Sequence, residues 1–268
     1  MQPDVTKRVE LMGLGFDPIR MDEAVRTCVA WCEGPRQPRS VITANAGILC
    51  MMRRDPELAA ACRAGDLNLA DGMSAVWALG AKGTPVPERV AGVDLMARLL
   101  EEAGRRKLRV YYLGAKEEIV STLARVSAEQ HPGLVVAGYR NGYFGPADHP
   151  AIVEAIREAR PHMLFVGMPS PFKENFLERH RARLDVPVLM GVGGSFDVLA
   201  GHIARAPVFM RKIGMEWAWR LLMEPRKMWK RYLTTNSEFL WVAGREALAH
   251  RLGLGGRSKQ PPAGAPTP

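Results

Sequence analysis

Residues Asp94–Gly114 read DLMARLLEEAGRRKLRVYYLG. Leu95, Met96, Leu99, Leu100 and Ala103 recur at a 3.6-residue spacing, so Asp94–Arg106 is expected to be a helix with one apolar stripe. The run that follows, Leu108–Gly114, has the length and composition of a buried strand. Helix then strand is repeated on either side. Glu10–Phe16, Ser40–Ala44, Leu67–Ala70, Leu134–Gly138, Met163–Gly167 and Val186–Gly191 read as strands, and Arg20–Cys32, Glu117–Glu129 and Pro150–Arg160 as helices. Such alternation predicts an α/β fold, a mainly parallel sheet with helices on both faces. Sheets of this kind bind ligands at the carboxyl ends of their strands.

The segments leaving those strands are rich in polar residues and glycine. They are Thr43-Ala44-Asn45-Ala46-Gly47, Asp71-Gly72, Gly114 followed by Lys116, Met168–Glu174, and Gly191-Val192-Gly193-Gly194-Ser195-Phe196-Asp197. Glycine lets backbone N–H groups approach a ligand, and helix N-termini favour phosphate. Any one such loop is a weak signal. Five on one sheet edge point to a nucleotide-type pocket.

The 268 residues provide one large domain, or one domain with an appendage. No apolar run reaches the ~18 residues of a transmembrane helix, and MQPDVTKRVE shows no signal-peptide pattern. Cys28, Cys32, Cys50 and Cys62 have no metal-site spacing and read as reduced core residues of a cytoplasmic protein. The formal charge is +9, which calls for an anionic partner: nucleic acid, anionic lipid or a phosphorylated small molecule.

Six of those net charges lie in Arg205–Arg231, where four of the six tryptophans (Trp217, Trp219, Trp229, Trp241) are interleaved or follow closely. This pattern fits a surface helix with core-facing aromatics, a helix in a membrane interface, or a nucleic-acid contact. Met210, Ile213, Met215, Leu221, Leu222, Met223 and Met228 are too bulky a set for a phosphate-tracking surface, which favours the anionic membrane and argues against nucleic acid. The expected division is an α/β domain at 1–204, a basic Trp-rich membrane-associating appendage at 205–252 and a disordered Gly/Pro-rich tail at 253–268.

Five motifs now stand together: Thr43-x-Asn45; Ala70-Asp71-Gly72; Arg89-Val90-x-Gly92-x-Asp94; Gly142-Tyr143-Phe144; and Gly191-Val192-Gly193-Gly194-x-x-Asp197-x-x-Ala200-Gly201, running on to Arg205-Ala206-Pro207. With Glu216-Trp217-x-x-Arg220 and Glu224-Pro225-Arg226 behind them, the chain resembles the WecG/TagA/CpsF glycosyltransferases, the GT26 group, from about Leu11 to Phe239. The resemblance implies a Rossmann-like, GT-E-like α/β fold with a helical C-terminal appendage. It also implies transfer of a sugar, with inversion to a β-linkage, from a UDP-sugar to a polyprenyl-diphosphate-linked saccharide in exopolysaccharide or other cell-surface glycan assembly. Such an enzyme would be cytoplasmic and peripheral on the inner face of the membrane, with no metal or other cofactor. A homo-oligomer is compatible with it.

An inverting transfer needs a base for the acceptor hydroxyl. The resemblance gives that role to Asp71, which otherwise reads as an Asp-Gly turn. Thr43 and Asn45 suit the sugar or the diphosphate, and Asn45 equally suits a helix N-cap. Arg89, Arg220 and Arg226 would offset charge on the leaving UDP, although the last two equally read as solvated or lipid-facing. Gly193, Gly194 and Asp197 resemble the nucleoside-binding loop, and Tyr143 is either a nucleotide contact or a half-buried core residue. One motif departs from the pattern. Many members have Pro-Lys-Gln-Glu where this chain has Pro171-Phe172-Lys173-Glu174. Lys173 replaces an amide by an ammonium, which suggests an altered donor or acceptor. Glu174 is a second carboxylate for the substrate or a first-turn helix residue. The rival reading from another class is a non-catalytic nucleotide-sugar-binding or scaffold component of a polysaccharide assembly complex.

Overall fold

The computed structural model describes residues 8–207, 210, 215–223 and 225–251. Its centre is a six-stranded sheet, parallel throughout. The strands are β3 (Arg39–Ala44), β4 (Leu67–Ala70), β5 (Arg109–Gly114), β6 (Val135–Arg140), β7 (Met163–Gly167) and β8 (Val188–Gly191), in the spatial order β4-β3-β8-β7-β5-β6. The expected α/β architecture is therefore present. One expected strand is different: Glu10–Phe16 is a hairpin, β1 (Val9–Leu11) against β2 (Leu14–Phe16), in a separate two-stranded sheet. Met12 and Gly13 both have positive φ, the geometry of a tight two-residue turn.

Side chains alternate across each strand. Met163, Phe165, Val188 and Met190 face one apolar core, built with α1 (Met21–Glu33), α5 (Gly92–Arg106) and α6 (Glu117–Gln130). Leu95, Met96, Leu99, Leu100 and Ala103, the stripe read from the sequence, are all buried there. Leu164, Val166 and Leu189 face the other side, under α7 (His149–Ala159) and α8 (Phe172–Leu184). Ile42, Ala44 and Ala70 continue that side under α2 (Ala46–Met52), α3 (Pro56–Arg63) and the hairpin. The α3 helix starts on Asp55, whose side chain accepts from Leu58 N–H at 3.0 Å, with Pro56 at its first position.

Four further helices follow in the described residues: α4 (Met73–Ala81), the short α9 (Ser195–Leu199) and, past Arg205, α10 (Glu216–Met223) and α11 (Pro225–Arg251). The distal part of α11 returns to the α/β domain. Phe239 and Ala243 are buried in the core beneath α2, and Glu246 takes hydrogen bonds from Met12 N–H (3.0 Å) and the Lys82 ammonium (2.9 Å). The tail proposed at 253–268 lies outside the described residues.

Candidate active site

The chain leaving β3 turns into α2 on one face of the sheet, and the chain leaving β8 turns into α9 on the other. Neighbouring strands whose exits diverge in this way open a crevice between their carboxyl ends. Two side-chain clusters reach that crevice from opposite faces.

The first cluster joins β3, β4 and the start of α5. Asp71 follows β4, and its N–H is held by Ala44 O at 2.9 Å. The segment before α5 runs across the same strand end, with Val90 N–H donating to Ala70 O (3.0 Å) and Gly92 N–H to Asp71 Oδ2 (3.3 Å). A Cβ on Gly92 would lie 2.8 Å from Thr43 Oγ1 and 3.6 Å from Asp71 Oδ2. The absent methyl is therefore what lets Thr43 and Asp71 share one corner. Asn45 caps α2, its Oδ1 accepting from Ile48 N–H at 3.2 Å. Arg89 approaches Asp94 to 4.0 Å, and Arg205 makes an ion pair with the other oxygen of the same carboxylate. With Asp71 beside them, two guanidinium groups and two carboxylates meet at this corner.

The second cluster is at the start of α8, after the cis Ser170-Pro171 bond. Lys173 and Glu174 are both buried and paired with each other, and Ser170 joins them: the Lys173 ammonium donates to Ser170 Oγ, and Ser170 Oγ donates to Glu174 Oε1 at 2.8 Å. The Lys173 stem lies against Gly191, where a Cβ would come within 2.9 Å of Cδ. Glu174 Oε2 has no partner among the described residues. A water-sized void of about 10 Å³ lies between β3 and α8, with Thr43, Glu174 and Gly191 in its lining.

The remaining loops close on one another. A side chain on Gly114, at φ +128°, would sit 2.6 Å from the Gly167 backbone, and Gly142 packs on Gly114 and Met168. Gly194 faces open space, and nothing approaches a Cβ at Gly193 nearer than 3.9 Å. Asp197 lies in the first turn of α9. Tyr143 is 72% exposed, so it is not the half-buried core residue that was one of its two readings. Gly142 and Tyr143 follow the edge strand β6, and their loop folds back over the ends of β5 and β7, where Gly142 N–H donates to Ala115 O at 2.8 Å. The expected residues thus form a row along the sheet edge rather than one tight cluster.

Arg220 is on α10 and Arg226 on α11, and their side chains lie outside the described residues. Ser170, Arg205 and Gly92 are residues that sequence reasoning did not assign to the site. Ser170-x-x-Lys173-Glu174 has the one-turn spacing of a helix start, and that spacing was the available signal for Ser170. Among the described residues no three His, Cys, Asp or Glu side chains converge as metal ligands, and no helix is long and apolar enough to cross a membrane. All four cysteines are buried free thiols, and burial pushes Cys50 up to about 11 and Cys62 up to about 12.

Comparison with known proteins places this geometry. The profile of the "Glycosyl transferase WecG/TagA/CpsF family" matches residues 9–253. An N-acetylglucosaminyldiphosphoundecaprenol N-acetyl-beta-D-mannosaminyltransferase of Bacillus spizizenii is 35% identical over 195 residues, 72% of this chain and 74% of the relative. A protein of the same name from Bacillus subtilis is 30% identical over 206 residues, 77% and 79% of the two chains. The paired crevice clusters, the parallel sheet and the match over nearly the whole chain have one conclusion: this protein belongs to the WecG/TagA/CpsF family of glycosyltransferases.

Proposed function

We propose that this chain transfers a sugar from a UDP-sugar to a saccharide linked to a polyprenyl diphosphate, in exopolysaccharide or related cell-surface glycan assembly. The observation that carries the reading is the corner where Thr43, Asp71 and Gly92 meet at the crevice. Asp71 is the base: it takes the acceptor hydroxyl proton as that oxygen bonds to C1 of the donor sugar. The bond from C1 to the diphosphate breaks on the far side, its electron pair leaves with UDP, and an α-linked donor gives a β-linked product. Thr43 and Asn45 orient the sugar and diphosphate. Arg89 and Arg205 offset charge on the departing diphosphate without a metal, and Arg220 and Arg226 add to them from the appendage. Gly193, Gly194, Asp197 and Tyr143 receive the nucleoside.

The relatives act on N-acetylglucosaminyldiphosphoundecaprenol, which supports a lipid-linked acceptor here. Lys173 and Glu174 form the charged wall of the crevice and tune which donor fits. The basic, tryptophan-bearing helices after Arg205 hold the enzyme on the cytoplasmic face of an anionic membrane. Leu240 and Trp241 on α11 are largely exposed, and Arg245 stacks 4.6 Å from the Trp241 ring centroid, an apolar and basic surface that supports this reading.

The test is to incubate the protein with a short-chain polyprenyl-diphosphate N-acetylglucosamine and a panel of UDP-sugars, with product detected by mass. One UDP-sugar should add a single residue and release UDP. Asp71→Asn should lower turnover by about 10²–10⁴-fold with the protein still folded. Unchanged turnover in Asp71→Asn removes Asp71 as base, and no product from any donor removes the reading.

A further inference from the structure

The α4 helix carries no charged residue, yet only Ala75 and Leu79 of it are buried. At about 100° per residue, Trp77 stands opposite both of them, and it is 61% exposed. Met73, Ser74, Gly80 and Ala81 share its side of the helix. A surface helix of a soluble domain sets a charged or polar face against its apolar one. The outward face of α4 has a single hydroxyl, that of Ser74, and a tryptophan at its centre.

This face continues into that of α11. The two helices pack together, and Ala75 and Leu79 share one core with Phe239 and Ala243, so both outward faces turn away from the same core. Both acids of α11 are held by the α/β domain: Glu246 pairs with Lys82 at the end of α4, and Glu238 with Arg54. The side of α11 away from the core shows Leu240, Trp241, Arg245 and Leu248. Over its length α11 has six basic residues against those two acids. Exposed tryptophan and leucine beside basic charge complement the headgroup layer of an anionic bilayer. A stable protein interface takes ~20–30 residues from each side, far more than these two faces offer among the described residues. Position gives the contact a use. Met73 follows Asp71 by two residues, and Trp77 lies roughly 6 Å further along the helix axis. An α4 seated among headgroups sets the Asp71 corner near the depth at which the diphosphate of a lipid-linked acceptor lies.

We propose that α4 is a second membrane contact, made by the α/β domain itself, with Trp77 inserted among the headgroups of an anionic bilayer beside α11. It rests on the membrane reading above for the bilayer and not on the reaction. The full chain with Trp77→Cys is labelled with an environment-sensitive dye, the native cysteines all being buried. It is mixed with phosphatidylglycerol–phosphatidylethanolamine vesicles that carry nitroxide-labelled lipid, and binding is followed in parallel by flotation. The dye should shift to the blue and be quenched by the nitroxide. Without a label, Trp77→Glu should weaken vesicle binding about ten-fold and Trp77→Phe about two-fold or less, with melting curves verifying each fold. Trp77→Glu should also slow transfer to an acceptor embedded in vesicles while leaving transfer to a short-chain acceptor in solution unchanged. A dye that stays in water while the chain floats with the vesicles, or unchanged binding of Trp77→Glu, overturns the inference and leaves the α11 contact standing. A chain that does not float overturns both, and transfer to the short-chain acceptor then tests the reaction by itself. Self-association that buries the dye without vesicles assigns α4 to a second copy of the chain and also overturns the inference.

Discussion

Gly92 stands between the two polar side chains on which the proposed chemistry depends. A methyl there would meet Thr43 Oγ1 at 2.8 Å, closer than packing allows, and would push on the strand end that carries the base. Gly92→Ala should therefore cost on the order of 1–3 kcal/mol of stability and lower turnover with little change in secondary structure, measured by calorimetry and steady-state kinetics. Lys173 makes a second prediction at this scale. Its ammonium is the charge partner of a carboxylate that is 4% exposed. Lys173→Met should destabilise the protein by about 3–5 kcal/mol, because it strands Glu174 in the interior. Lys173→Met combined with Glu174→Gln should recover much of that loss in a denaturant titration. Equal loss in both would show that the pair is not coupled. Thr43, Asn45 and Asp71 could be placed at the sheet edge from the sequence because each lies at or just past a strand end, whereas Arg89, ahead of α5, was singled out only by the family motif. The partnership of Ser170 with Lys173 and Glu174 was less legible, since serine before proline reads first as a turn.

At the scale of elements, alternation located all six strands of the parallel sheet because each is a short, largely apolar run ending in glycine or a polar turn. The hairpin escaped that logic. Leu11, Leu14 and Phe16 are all fully buried, but the intervening Met12-Gly13 reverses the chain, so one apolar run became two strands. The α2, α3, α4 and α8 helices were not delimited from the sequence: α2 and α4 are short and apolar nearly throughout, so no 3.6-residue stripe stands out, whereas α8 carries charged residues around most of its surface, and Lys173 and Glu174 are buried in it by pairing rather than by hydrophobicity. The terminal helix yields the third prediction. Phe239 is 2% exposed and anchors α11 on the α2 side of the domain. Phe239→Ala should cost on the order of 3–5 kcal/mol locally. Limited proteolysis within α11 should then quicken markedly while the sheet remains protected from hydrogen exchange.

For the molecule as a whole, acid is the expected weakness. Burial holds the His149, His162 and His180 rings below their ordinary 6.5, with nearby arginines adding to it and Asp148 opposing it at His149. Arg179 and Arg183 act on His180, which also faces His149, while Arg36 and Arg109 act on His162. His162 Nδ1 accepts the Arg109 N–H at 3.0 Å, so it must be unprotonated in the native state. With folded values depressed, the unfolded chain takes up protons first. The stability contributed by the neutral rings is complete above about pH 6.5 and is lost as pH falls through the folded values. Calorimetry from about pH 8 to about pH 5 should show Tm falling below neutrality, and His180→Gln should flatten part of that slope.

The bond between Met12 and Glu246 joins positions 234 residues apart. A ribosome adding about 5–20 residues per second needs roughly 12–47 s to travel between them. Through that interval the turn of the first hairpin has no acceptor for its amide, and Lys82 lacks one of its two partners. The α/β domain can thus assemble in part during synthesis but is clasped only when its last helix emerges. The membrane-facing helices proposed above reach their final place at that same late moment, after the crevice they serve has been built.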